Sequence, residues 1–456
     1  MLHDLSSRIR PHALSRNYCF VFALSSAVAG CQKAPHPDKL FQHTLLKKPP
    51  RTAQKLETHV YIDATPSMKG FAAPGGAAQF GIFLRELDLA LAQGGQSESD
   101  VRYYKFGTNI NPIQHSPAFQ AATSLTFYGG LGYLDTSIDR VLNEVNSKAL
   151  TLIVTDLFQQ DAEVSTLVAK VHAKVLPARL AFAVFGIKAD FDGIIYDVGQ
   201  QKLAFPYNSE GQKKRFRPFY LLAIGPPDEV SLLSEQLKRV SKTLDPSDVV
   251  ILSPELLETP LDWEHVQIRD ASGVNQNSGV INPPVSGGLT FKQVGQRDIY
   301  VRAALAYHAV PGTPEVNFSK GATVSVREVL WSSAGLFSGN GPRALNSEDA
   351  KVGINFMLSL EGGNLILDAT IPRHKLPFRG TYVFEIKPVL RPESFQFPEF
   401  CSKWNMDLIE TTHLTAKSSM DGTRTQNLRL LVDSVWSGML QQWAPNPGTL
   451  YFYIER

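Results

Sequence analysis

The sequence predicts an α/β chain: a doubly wound, mostly parallel sheet, followed by an all-β sandwich closed by a helix and a strand. Three observations predict it. Between residues 57 and 255 short apolar runs alternate with stretches of helical period, as in sheets whose strands are joined by crossover helices. After residue 265 the helical periods stop and strand-like runs follow one another between Gly, Pro and Asn clusters, the pattern of a sandwich. A chain of 456 residues also exceeds what a single hydrophobic core usually serves.

The first segment, residues 1–31, reads as a targeting signal. Arg8, Arg10 and Arg16 precede the apolar run "YCFVFALSSAVAG" at 18–30, which ends in small residues before Cys31. That apolar run is too short for an ordinary membrane span. The stretch "VAGC", Val28 to Cys31, resembles the signal of bacterial lipoproteins. By that resemblance Cys31 becomes the first mature residue and carries acyl chains, each buried methylene adding roughly 0.8 kcal/mol to membrane anchoring. Gln32, which is not Asp, is compatible in that family with outer-membrane delivery. The expected location is therefore the bacterial cell envelope, through a lipid anchor. Residues 32–56 are polar, basic and proline-bearing and read as a tether.

The α/β part follows at 57–255. "HVYID" (59–63) is a strand, "FGIFLRELDLALAQ" (80–93) a helix and "DVRYYKFG" (100–107) a second strand. "TSIDRVLNEV" (136–145) and "EVSTLVAKVHAKVL" (163–176) are helical, flanking the fully apolar strand "ALTLIVTD" (149–156). "RLAFAVFGI" (179–187), "PFYLLAIGPP" (218–227) and "DVVILSP" (248–254) are further strands, the last two joined by a helix over 228–244. Residues 190–217 break the rhythm and read as an edge hairpin. The basic residues Lys213, Lys214, Arg215 and Arg217 there read as a solvated turn. Residues 265–456 form the β-rich part, of immunoglobulin-like architecture. Six strand-like runs between 289 and 390 lead to an amphipathic helix at 428–443, and "TLYFYIER" closes the chain as a strand.

Composition narrows the function. A formal net charge of +2 with no basic stripe gives no reason to expect a nucleic-acid partner. Only three cysteines are present, so neither a disulfide framework nor a zinc site is implied. Cys401 reads as a small buried apolar residue.

The chemistry concentrates at strand ends. Open parallel sheets bind ligands at the carboxyl ends of their strands. Asp63 and Asp156 each end a very apolar strand there. Two carboxylates brought together repel unless a cation intervenes. Thr65 and Ser67 add hard oxygen donors, and such a set suits Mg²⁺ or Mn²⁺ better than Zn²⁺. The stretch "DATPS" resembles the D-x-S-x-S motif of von Willebrand factor A domains, with Thr65 standing where the family has Ser. That family's metal-ion-dependent adhesion site also uses a Thr on a loop before a helix, matched by Thr136, and an Asp ending a central strand, matched by Asp156. Ser137 and Asp135 are the neighbouring alternatives to Thr136. The resemblance implies a Rossmann-like fold and a divalent ion on Thr65, Ser67 and Thr136, with Asp63 and Asp156 binding directly or through water. It also implies a protein partner offering an acidic side chain. A metal-assisted hydrolase using the same carboxylates is the enzymatic alternative, and no nucleophile or general base in the sequence accompanies them. A structural envelope component with an empty, degenerate site is the third reading. No H-E-x-x-H, Walker-type or G-x-S-x-G motif is present.

Overall fold

The computed structural model describes residues 56–455. Excepted are 74–75, 94–99, 115–121, 158–160, 200, 258–260, 271–279, 282–287, 293–297, 319–322, 332–353, 363, 377–380, 416–417, 419 and 444–446. The signal, Cys31 and the tether lie outside the described residues.

A seven-stranded sheet forms the first part. Its strands are β1 (Glu57–Asp63), β2 (Val101–Phe106), β3 (Ile110–Ile113), β4 (Ala149–Thr155), β5 (Ala181–Ala189), β8 (Arg217–Gly225) and β9 (Leu244–Leu252). A separate hairpin consists of β6 (Asp192–Val198) and β7 (Leu203–Asn208). The order across the sheet is β3-β2-β1-β4-β8-β5-β9. Strands β2, β1 and β4 run parallel, with Tyr61 opposite Tyr104 and Ile153.

The expectation of a mostly parallel sheet is corrected here, because the sheet is mixed. Strand β8 lies antiparallel between β4 and β5, while β3 and β9 are antiparallel to their neighbours. The physical reason is the connection after β5. A crossover helix would return the chain to the sheet's amino edge. The β6–β7 hairpin instead turns at the carboxyl edge, so β8 enters the sheet from that edge and runs backwards.

Alternation of apolar side chains places a core on each face of this sheet. Ile62, Val154, Phe185, Leu221 and Ile251 face the helices Gly76–Gln93 and Pro227–Val240. Tyr61, Ile153, Val184, Leu222 and Val250 face the other way, with helices Ile138–Glu144 and Asp161–Lys174. Those two helices leave the β8-β5-β9 side of that face to be covered. The chain returns to cover it: Leu428, Leu431, Val432 and Val435 of helix Leu428–Trp443 join the same core, as do Phe400 and Trp404. Tyr220 of β8 donates its hydroxyl to Thr425 Oγ1 at 2.8 Å. Segments 400–404 and 428–443 therefore complete the layer of the first part.

Apart from two short two-stranded pairings, Glu315–Val316 with Phe395–Gln396 and Asn405–Met406 with Thr425–Gln426, the remaining strands form two facing sheets. One is four-stranded and antiparallel, from Asp262–Asp270, Ile299–Ala306, Asn364–Ile371 and Asn355–Glu361. The other is five-stranded, with the terminal strand Leu450–Glu455 lying parallel to Gly288–Lys292 and antiparallel to Thr381–Val389. Aromatic pairs such as Phe356–Phe384, with ring centroids 5.9 Å apart, join the two sheets. Among the described residues no helix is long and apolar enough to cross a membrane.

Candidate functional site

Strand β1 ends in Asp63, and the chain leaves through Ala64 and Thr65 into a 3-10 turn at Pro66–Phe71. Pro66 occupies the first position of that turn, where a missing N–H is no loss. The far end is anchored by Phe71. Its ring sits 5.3 Å from Phe219 of β8 and 4.9 Å from Phe191, both edge to face, an arrangement adding roughly 0.5–1.5 kcal/mol per pair beyond burial. Gly70 lets the hairpin pack against the turn, since a Cβ there would lie 2.4 Å from the Phe191 ring. The near end is pinned by backbone bonds from Ala64 N to Phe106 O and from Gly129 N to Ala64 O, both 2.8 Å.

The second contribution comes from the loop before helix Ile138–Glu144. At Gly132 the backbone has φ +94°, and a Cβ would meet Asn109 Nδ2 at 2.3 Å. Asn109 N also donates to Gly132 O at 2.8 Å. This fixed turn delivers Thr136 to the carboxyl edge of β1.

There the five expected side chains meet. Asp63 Oδ1 accepts from Thr65 N at 3.0 Å and from Thr65 Oγ1 at 2.7 Å. Its Oδ2 accepts from Thr136 Oγ1 at 3.1 Å and from Thr155 Oγ1 at 2.8 Å. Thr65 Oγ1 lies 3.1 Å from Ser67 Oγ and 3.0 Å from Thr136 Oγ1. Ser67 Oγ donates to Asp156 Oδ1 at 3.3 Å. Of the three loop candidates it is Thr136 whose hydroxyl makes these contacts, while Asp135 is exposed. Asp63, Thr65 and Asp156 are buried, and Ser67 and Thr136 form the partly open side.

Two members were not expected. Thr155 precedes Asp156, and the register Ile62↔Val154 sets it level with Asp63. The apolar, parallel character of both strands was the signal that could have found it. Arg217 corrects the expectation of a solvated basic turn. It is fully buried, and its Nη2 donates to Asp156 Oδ2 at 3.0 Å. Its guanidinium carbon lies 5.2 Å from the Phe191 ring centroid. As the first residue of the reversed strand β8, Arg217 starts at the carboxyl edge where Asp156 ends β4. Its neighbour Arg215 does sit in an exposed turn, paired with Glu210 at 2.8 Å.

Burial, and then the Asp156 charge, push the Asp63 carboxyl up from 3.8 to about 6, against hydrogen bonds from Thr65 and Thr155 that lower it. Burial first and the Asp63 charge second also raise the Tyr128 phenol. Leu157, immediately after Asp156, has φ +49°. A left-handed conformation costs a non-glycine residue roughly 1–2 kcal/mol, and the buried Leu157 side chain and its N–H bond to Thr155 Oγ1 hold it. Strain of this kind gathers at functional edges.

Proton counting tests the fit to a cation. Five oxygen–oxygen contacts link the hydroxyls of Thr65, Ser67 and Thr136 to one another and to the two carboxylates, and these three hydroxyls own three hydrogens. With the carboxylates ionised, the hydrogens go to Asp63, Asp63 and Asp156, the stronger acceptors. The contacts of Thr65 Oγ1 with Ser67 and Thr136 are then left without a hydrogen. Lone pairs facing each other at 3.0–3.1 Å are what a small hard ion separates. With metal–oxygen distances of about 2.0–2.1 Å, adjacent octahedral ligands lie about 3 Å apart. The residues fit such an ion. Asp63 already accepts four hydrogen bonds, which fills its acceptor sites, so it orients the hydroxyls while Asp156 Oδ1 faces Ser67. Among the described residues no group of three or more His, Cys, Asp or Glu is placed to hold a metal; this cluster draws its further oxygens from hydroxyls.

Compared with models of known protein families, with curated proteins and with solved structures, the chain finds no match in any of the three.

Proposed function

We propose that the chain is a lipid-anchored bacterial envelope protein whose first part is a von Willebrand factor A-like binding module. It holds Mg²⁺ or Mn²⁺ and engages an acidic side chain of a protein partner. The observation that carries this reading is the convergence of three hydroxyls and two carboxylates on fewer hydrogens than contacts. Thr65, Ser67, Thr136 and Asp156 would hold the ion, with Asp63 and Thr155 fixing the hydroxyls from behind. A bound divalent ion supplies a concentrated positive charge for an anionic group. The partly open side at Ser67 and Thr136 is where that group enters. The immunoglobulin-like reading of the second part belongs to the same proposal, its facing sheets serving as spacer or second contact surface. Lipidation at Cys31 supplies the anchor.

Calorimetric titration of the detergent-purified protein with Mg²⁺ and Mn²⁺ tests the core of this reading. Saturable binding that disappears in Ser67→Ala and Asp156→Ala is expected; its absence, or binding indifferent to both substitutions, overturns it. A pull-down from solubilised membranes with and without chelator then identifies the partner. One observation favours a second reading, a structural component with an empty site: Arg217 already balances Asp156 without any ion. The same titration separates the two.

A further inference from the structure

The A-like reading accounts for every residue of the cluster except Arg217. A guanidinium in the interior is expensive unless it is paired and hydrogen-bonded, and here it is fully buried against Asp156. It reaches that place because β8 runs backwards, with Tyr220 opposite Thr155 and Arg217 beyond it at the carboxyl edge. Asp156 thus divides its oxygens, Oδ1 toward Ser67 and Oδ2 to Arg217.

The charges then sum differently from those of a site with two carboxylates alone. Asp63 and Asp156 contribute two negative charges and Arg217 one positive, leaving one net negative charge beside neutral hydroxyls. A divalent ion would neutralise a site of two carboxylates; here it leaves one net positive charge in a largely buried setting, where charges are weakly screened. We propose that Arg217 is a charge-setting residue. It weakens the site's hold on a divalent ion and leaves the loaded site net cationic, so that the site takes a carboxylate ligand to complete it. This inference rests on the metal-binding reading above and concerns how Arg217 tunes it.

The sign of the effect separates tuning from simple support. If Arg217 only held Asp156 in place, removing it would loosen the cluster and weaken metal binding. If it sets the charge, Arg217→Met leaves an uncompensated Asp156 that the ion itself must balance, and metal binding tightens.

The experiment uses full-length protein in detergent, as wild type, Arg217→Met and Arg217→Lys. Mn²⁺ is titrated by calorimetry and by loss of the free-ion paramagnetic resonance signal, with thermal unfolding recorded in Mn²⁺ and in EDTA. Acetate is then titrated into the Mn²⁺-loaded proteins. Expected are Mn²⁺ binding at least tenfold tighter in Arg217→Met, a larger rise in melting temperature on adding Mn²⁺, and at least threefold weaker acetate binding. Arg217→Lys should stay near wild type in all three. Equal or weaker Mn²⁺ binding in Arg217→Met overturns the inference while wild-type binding leaves the metal reading standing. Mn²⁺ binding by Arg217→Met but not by wild type overturns the metal reading and the inference with it, since Arg217 then stands in for an ion that the wild-type site never holds. Binding by neither overturns both. Should Arg217→Met fail to fold in EDTA, recovery of its fold in Mn²⁺ supports the inference and no recovery overturns it.

Discussion

Replacing Asp63 by Asn isolates the carboxylate of the cluster whose proton affinity burial raises. Burial and the Asp156 charge push Asp63 up from 3.8 to about 6, a difference of about 2 pH units, or about 3 kcal/mol at full extent. The folded protein holds this proton more tightly than the unfolded chain does. Between pH 4 and 6, therefore, the folded state carries more protons, and stability falls as pH rises. Above about pH 6 the whole penalty is present; below the unfolded value it vanishes. Asn at this position has no such titration, so the stability difference between Asp63→Asn and wild type should shift in favour of Asn by about 2 kcal/mol from pH 4.5 to pH 8. Any fixed packing or hydrogen-bonding change made by the amide cancels in that comparison. Thermal unfolding of both proteins in EDTA across this range measures it. Adding Mn²⁺ at pH 8 should move the difference back toward wild type, because only wild type keeps the carboxylate that orients the ligating hydroxyls and so gains more from the ion. A stability difference that does not change with pH, or that moves toward wild type as pH rises in EDTA, would refute the buried, charge-opposed environment assigned to Asp63.

Other parts of the structure make separate predictions. Gly186→Ala in β5 places a Cβ 2.5 Å from the Trp404 ring. Overpacking there should destabilise the protein by about 1–3 kcal/mol, read as a lower melting temperature; an unchanged melting point would remove segment 400–404 from the sheet. Gly132→Ala forces a side chain at φ +94° into Asn109, so it should weaken Mn²⁺ binding through Thr136 while Leu131→Ala, at an exposed neighbour, does not. Cys401 is buried and its thiol is pushed up to about 12, by burial first and the Asp433 charge second. It should resist thiol reagents in the native protein and react once the chain is unfolded in urea, as measured by mass spectrometry.

Much of the cluster is legible in the sequence because its members obey local rules. Asp63 and Asp156 end apolar strands, Thr65 and Ser67 alternate beyond one of them, and Thr136 sits one loop before a helix. Each rule fixes where a side chain goes with only its own neighbourhood in view. Thr155 needs one more step, the register between two parallel strands, and the matched apolar runs of β1 and β4 contain that information. Helix Leu428–Trp443 is legible in its bounds, since its apolar face has an unbroken helical period, yet nothing in that period names the sheet it covers.

Arg217 marks where local reading ends, and the same feature defeats the prediction of a mostly parallel sheet. In sequence it closes a basic stretch after Lys213, Lys214 and Arg215, and three of those four residues do lie in an exposed turn. Whether the fourth is solvated or buried depends on the direction of the strand it begins. Had β8 run parallel to β4, its first residue would lie at the amino edge, far from Asp156, and its last, Gly225, would face the cluster. The apolar run Phe219–Ile224 is compatible with both directions, because a strand buried on both faces carries no polarity in its pattern. Direction is decided instead by the β6–β7 hairpin, where a short excursion replaces a helix and returns the chain at the edge it left. The hairpin therefore does two things at once. It reverses the strand that makes the sheet mixed, and it delivers a buried positive charge to one of the two carboxylates on which the proposed ion site depends.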